Sequence, residues 1–222
     1  MPMPDVQVKP VREGQAHKRS AILTAARELF VRDGVERTSM DAVAARAGVS
    51  KRTVYDYYGD KRRLLLGVVE QAGEAALITL RRLIERHLPP VLTDADRAAT
   101  ERALVSFALD LGRSQLAASD YAAAVRLITE NEALLPELDD HPLETAHNRA
   151  LAERLDLLSR AGLLEAPDPE LAADHFHALT TLRVLNEPGR RRAQLDRVDR
   201  IMIDGAHAFL RAYAPSGGGH DR

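Results

Sequence analysis

The sequence predicts an all-α chain of about nine helices, a compact group of three short ones followed by six longer ones. Three observations carry this. No apolar/polar alternation of the strand type lasts more than a few residues, while apolar residues recur three and four apart nearly throughout the chain. Glycine, proline and capping residues cut that pattern into pieces of helical length. The composition, 222 residues with 45% hydrophobic and 29% charged, suits a folded chain with a sizeable core rather than a disordered one.

The segment 1–15, with three prolines and no period, reads as a disordered tail. The first helix runs from about Ala16 to Asp33, carries Ile22, Ala26, Leu29 and Phe30 as one stripe, and ends at Gly34. Thr38 or Ser39 caps the second, with Asp41 placed to complete a capping box with Thr38. That helix turns Met40, Val43, Ala44 and Ala47 inward and stops at Gly48. Ser50 caps the third, through about Tyr57, and Asp60 caps the next after a break at Gly59. Longer helices follow at about 61–88, 95–117, 120–134, 142–161, 168–186 and 190–213, and 214–222 reads as a second disordered tail.

Composition excludes several classes. No apolar run is long enough to span a bilayer, and residues 1–17 lack the apolar stretch of a secretory signal, which points to a cytoplasmic protein. The chain has no cysteine, which removes disulfide scaffolds, thiol catalysis and cysteine zinc sites. His175 and His177 are two apart and point to different sides of a helix, and His141 and His147 are six apart, so no metal and no cofactor are expected. Neither G-x-S-x-G nor H-E-x-x-H occurs, so the chain is not read as an enzyme.

The net charge of −2 hides an asymmetry. Residues 1–63 hold 13 Lys+Arg against 8 Asp+Glu, and residues 64–222 hold 18 against 25. A basic end on an acidic body suggests that the basic end meets a polyanion. The turn Ala47-Gly48-Val49-Ser50 specifies which one. Two steeply crossing helices need a small residue before the turn, one that tolerates positive φ, an apolar plug and a cap, and these four supply them in order. The result is a helix-turn-helix, over 16–60, whose third helix is shaped for a DNA major groove. With Val54 and Tyr58 facing inward, Lys51, Arg52, Thr53, Tyr55 and Tyr57 remain for outward contacts. Arg52 suits the O6/N7 pair of a guanine, and Thr53 a thymine methyl or a phosphate. Ser39, Ser50, Lys51 and Tyr55 suit phosphates, as does Lys61 at the start of the fourth helix.

Ala21 to Leu65 resembles the N-terminal domain of TetR-family transcriptional regulators: the Gly34-x-x-x-Thr38-Ser39 segment, the A-G-V-S turn, the Thr53-Val54-Tyr55 triplet and Lys61 fall in register. The resemblance implies phosphate or base roles for Thr38, Ser50, Lys51, Thr53, Tyr55, Tyr57 and Lys61. Arg52 departs from it, standing where a small residue is common. Asp56 also departs, and either accepts from a cytosine amino group or pairs with Arg52 at i+4.

The resemblance further implies that 61–213 is a ligand-binding and dimerisation domain. Candidate ligand contacts on inward faces are Phe107, Leu111, Tyr121, Val125, Ile128, His147, Leu151 and Phe176. Leu195, Val198, Met202, Gly205 and Phe209 form a seam on the last helix, and Leu179 and Leu182 belong to one on the preceding helix. Such seams either pair with a second copy as a four-helix bundle or pack the monomer core. The expected function is a ligand-responsive regulator, a repressor released as a homodimer from a pseudo-palindromic double-stranded DNA operator by a small-molecule effector. The alternative is a helical carrier or enzyme on the same scaffold that has lost DNA binding.

Overall fold

Many helix ends fall where glycine, proline or a capping side chain interrupts the pattern, as at Gly34, Gly48, Ser50 and Asp168. The computed structural model describes residues 10–89, 97–116, 120–138 and 142–215. The remainder of the expected tails, 1–9 and 216–222, lies outside the described residues, as does His141. Among those described there are eleven α-helices and no strand. They are α1 (Pro10–Asp33), α2 (Met40–Ala47), α3 (Lys51–Tyr58), α4 (Lys61–His87), α5 (Arg97–Leu111), α6 (Asp120–Glu130), α7 (Pro142–Arg160), α8 (Pro169–Leu179), α9 (Thr181–Leu185), α10 (Gly189–Arg192) and α11 (Leu195–Ala212). No helix among the described residues is long and apolar enough to cross a membrane.

The extra helices come from two breaks. The helix expected over 168–186 is interrupted at Thr180, whose hydroxyl donates to the Phe176 carbonyl at 2.6 Å while its backbone leaves the helical region. A threonine bonding back in this way competes with the helix ladder. The helix expected over 190–213 breaks at Gln194, which is extended, with Arg192 donating to the Leu185 carbonyl at 2.9 Å. At the other end, 10–15 is helical rather than tail-like: Pro10 stands at the first position of α1, where its missing N–H costs nothing. The helix expected to reach 134 stops at Glu130, where the Asn131 amide donates to the Leu127 carbonyl, and two 3₁₀ turns follow.

The chain forms two compact units, 1–72 with 123–136, and 73–122 with 137–222. The first half of α4 and much of α6 cluster with the first unit. In that unit Ile22, Ala26, Leu29 and Phe30 of α1 are buried with Met40, Val43, Val54, Tyr58, Leu64 and Leu65. Gly67 of α4 lies against the Tyr58 ring, where a Cβ would come within 2.9 Å, so glycine is what lets that ring lie close to α4. Arg126 of α6 donates to the Val31 carbonyl of α1 at 2.8 Å.

The second unit centres on Phe176, whose ring lies 5.6 Å from Phe107 and 5.4 Å from Phe209. Around it Leu104, Leu111, Leu151, Leu155, Met202 and Ala206 are buried. A π-helical turn, Gly112–Leu116, follows α5 and brings Gly112 against Met202, where a Cβ would meet the side chain at 2.6 Å. Gly205 does the same for the α8–α11 crossing: a Cβ there would overlap the Leu179 carbonyl oxygen.

Candidate nucleic-acid interface

The turn between α2 and α3 is built as its residue types require. Gly48 adopts φ 66°, the left-handed conformation, and its N–H and that of Val49 close onto the Ala45 and Ala44 carbonyls. This is the double hydrogen bond that satisfies a helix C-terminus. The Ser50 hydroxyl accepts from the Thr53 N–H at 3.1 Å, and Ser39 caps α2 by accepting from Ala42 N–H at 3.1 Å. Asp41 completes no capping box. It accepts instead from Lys51 of α3 at 3.0 Å, tying the two helices together, and this partner holds the lysine above its ordinary pKa.

With Val54 and Tyr58 buried, α3 presents Lys51, Arg52, Tyr55 and Tyr57 outward. Arg52 is 90% exposed, and Asp56 lies 3.7 Å from its guanidinium at i+4. The Lys51 ammonium stands 5.8 Å from the Tyr55 ring centroid. Thr53 is half-buried, its hydroxyl 2.8 Å from that of Ser50. The exposed face therefore offers one long fork of donors, one carboxylate, phenol hydroxyls and one ammonium, a set able to bond both base edges and phosphates.

Two expectations need correction or narrowing. Thr38 does not fit a phosphate role: it is buried, and its hydroxyl donates to the Gly34 carbonyl at 2.8 Å, holding the loop between α1 and α2. Lys61 is half-buried and donates to the Glu36 carbonyl at 2.8 Å, which leaves two of its three N–H donors for other acceptors. One feature carried no sequence signal: the Tyr57 hydroxyl donates to the Gln15 carbonyl at 3.4 Å, linking α3 to the early turns of α1. The signal was masked because 10–15 lacks a period and carries proline.

The candidate ligand contacts divide between the units. Val125 and Ile128 belong to the first. Phe107, Leu111, Leu151 and Phe176 are fully buried packing residues of the second. Tyr121 and His147, both in the second unit, have ring centroids 5.7 Å apart. Near them on α8, His177 is pushed down to about 4 by burial and by the neighbouring His147, and its Nε2 is buried without a hydrogen-bond partner. No group of three or more metal-ligating side chains occurs among the described residues.

The dimer seam divides too. Val198, Met202 and Phe209 are buried within the chain, and Gly205 abuts α8, so these four pack the monomer core and offer no surface to a second copy. The seam's period was real, but it marked the face that α5 and α8 cover. Leu179 is half-buried against the core. Leu182 and Leu195 remain outside, 51% and 53% exposed.

Comparison with known proteins agrees with this arrangement. The pattern of bacterial regulatory proteins of the tetR family matches residues 22–68, and that of the AefR-like transcriptional repressor C-terminal domain matches residues 102–215, about half of the chain. The chain is 28% identical over 149 residues to the HTH-type transcriptional activator FasR of Mycolicibacterium smegmatis, a stretch covering 67% of this chain and 62% of that protein, less than two thirds of its length. A TetR-family transcriptional regulator from Mesorhizobium loti superposes with a TM-score of 0.77 at 26% identity, covering 90% of this chain and 98% of that one. SmeT in complex with triclosan gives 0.61 at 25% identity, covering 90% and 93%. These relatives are transcriptional regulators, not enzymes. A helix-turn-helix in the first unit, a helical second unit and family patterns on both lead to one conclusion: the chain belongs to the TetR family of bacterial transcriptional regulators.

Proposed function

We propose that the protein is a ligand-responsive repressor that binds a pseudo-palindromic operator as a homodimer and leaves it when a small molecule binds the second unit. The observation that carries this reading is the outward face of α3, where Arg52 projects free of the core beside Lys51, Tyr55 and Tyr57. Arg52 reads a guanine; Ser39, Ser50, Lys51, Thr53, Tyr55 and the free donors of Lys61 hold phosphates and set register, and Tyr57 joins them by exchanging its long 3.4 Å bond to the Gln15 carbonyl for a phosphate oxygen. Asp56 steadies the Arg52 fork through its 3.7 Å contact.

Exposed Leu182 and Leu195 support pairing, since half-exposed leucines on neighbouring elements are what a partner copy covers. Tyr121 and His147, with Asn148, whose side-chain oxygen is buried without a hydrogen-bond partner, supply polar groups for an effector. SmeT in complex with triclosan, among the structural neighbours, is in keeping with a small-molecule effector. The similarity to a repressor C-terminal domain favours repression, although FasR is named an activator.

Selection of fragments from the source genome by the full chain tests this. It should enrich sites with two half-sites about one helical turn, or a multiple of it, apart. No enrichment over random DNA would overturn the reading. Sedimentation equilibrium of the Leu182→Ser/Leu195→Ser double variant should show a monomer where the parent is a dimer.

A further inference from the structure

A cleft of about 290 Å³ in the second unit lies away from every residue expected to contact an effector. The first turn of α5, the loop after α7 and the last turns of α11 with the residues beyond it form its walls. Its floor is apolar: Leu164 is buried, and Leu163 and Leu210 are half-buried against the core. Its rim is cationic. Arg97 and Arg211 both line it, both are exposed, and neither has an ionic partner among the described residues. Three other arginines of the unit are ion-paired, Arg113 with Asp199 at 2.6 Å, Arg160 with Asp156 at 2.7 Å and Arg197 with Glu187 at 2.6 Å, while Arg97 and Arg211 are the two arginines that line this cleft. Among the described residues the rim has a single carboxylate, Glu101, 3.6 Å from His207 Nε2.

Two unmatched guanidinium forks above a leucine floor select for a ligand of two parts. A guanidinium bonds a carboxylate through two parallel N–H donors, and the leucines gain by covering an apolar chain or ring. Glu101 offsets one of the two guanidinium charges, which suits a monoanion, and the leucine floor gives inorganic phosphate no apolar part to cover. The volume admits only a small molecule. We propose that this cleft binds small amphipathic monocarboxylates, the carboxylate between Arg97 and Arg211 and the apolar part along Leu163, Leu164 and Leu210. This site is separate from the α3 face and from the Tyr121–His147 pair, and its occupancy does not depend on DNA.

Isothermal titration of the full chain, without DNA, with sodium octanoate, octan-1-ol and inorganic phosphate tests it. Octanoate should bind saturably, one per chain, with the alcohol and phosphate at least tenfold weaker. Arg97→Gln and Arg211→Gln should each weaken octanoate about tenfold, the loss of one charge-assisted hydrogen-bonded contact. Glu101→Gln should strengthen it several-fold, an outcome that a merely structural role for the cleft would not give. All three exposed positions should leave the melting temperature unchanged. Equal binding of octanol and octanoate, tighter binding of phosphate, or undiminished octanoate binding by the Arg97→Gln/Arg211→Gln double variant would each overturn the proposal. Because no operator is involved, these outcomes are independent of the repressor reading.

Discussion

The two units use the same helix chemistry under different constraints. In the first, the two helices of the helix-turn-helix, α2 and α3, have only eight residues each, so most of their residues' tasks follow from local hydrogen bonding: Ser39 and Ser50 cap, Gly48 reverses the chain, Asp60 accepts from the Arg63 N–H at 2.8 Å. In the second, helices of up to nineteen residues meet one another along their length, and a residue's task depends on which neighbour covers its face. Phe209 and Leu195 lie on the same helix, yet one is fully buried and the other half-exposed. Local chemistry decides the first unit and long-range packing the second.

Breaking the second unit takes a cavity at its centre. Phe209→Ala removes a ring packed against both Phe176 and Tyr213 and should cost about 4 kcal/mol. Urea titration followed by far-UV circular dichroism checks this. If the units unfold separately, only the transition that reports the second should move.

Acid should act on the second unit next most strongly. Burial lowers His177 from its ordinary 6.5 to about 4. Between those values the unfolded chain binds the proton that the folded chain refuses, so stability falls as pH drops from 6.5 towards 4 and is unaffected by this group above 6.5. The loss is about 3 kcal/mol at most. Measuring urea midpoints at pH 7, 5.5 and 4.5 for the parent and for His177→Gln should show a shallower slope in the variant.

The smallest effect belongs to the first unit. Ser50→Ala removes the acceptor for Thr53 N–H and should cost about 1 kcal/mol, read as a lower urea midpoint for the first unit. A loss equal to that of Phe209→Ala would erase the contrast between local and long-range control.

That contrast also explains what was legible in the sequence. The three short helices, their caps and the inward Val54 and Tyr58 could be read off, because each rests on residues within four positions of one another. The outward placement of Arg52 and its i+4 contact with Asp56 were legible for the same reason. Which of Thr38 and Ser39 caps α2 stayed open in the sequence because two hydroxyls stand side by side, and only the fold decides that Ser39 caps while Thr38 bonds back to Gly34. In the second unit the seam of α11 was legible as a period, but not which surface would cover it. The breaks at Thr180 and Gln194 were hidden, since neither residue is a strong helix breaker. The cleft beside Arg97 and Arg211 joins segments more than a hundred residues apart and left no local trace.

The most direct test of DNA reading by the exposed face of α3 is fluorescence anisotropy of selected genomic fragments against scrambled duplexes, for the parent and for Arg52→Ala, across a range of salt. The parent should prefer its fragment by at least about a thousandfold. Arg52→Ala should lose roughly 1–3 kcal/mol of that preference per half-site while its binding to scrambled DNA stays nearly unchanged. Full discrimination retained by Arg52→Ala would contradict the assignment of base reading to this helix face.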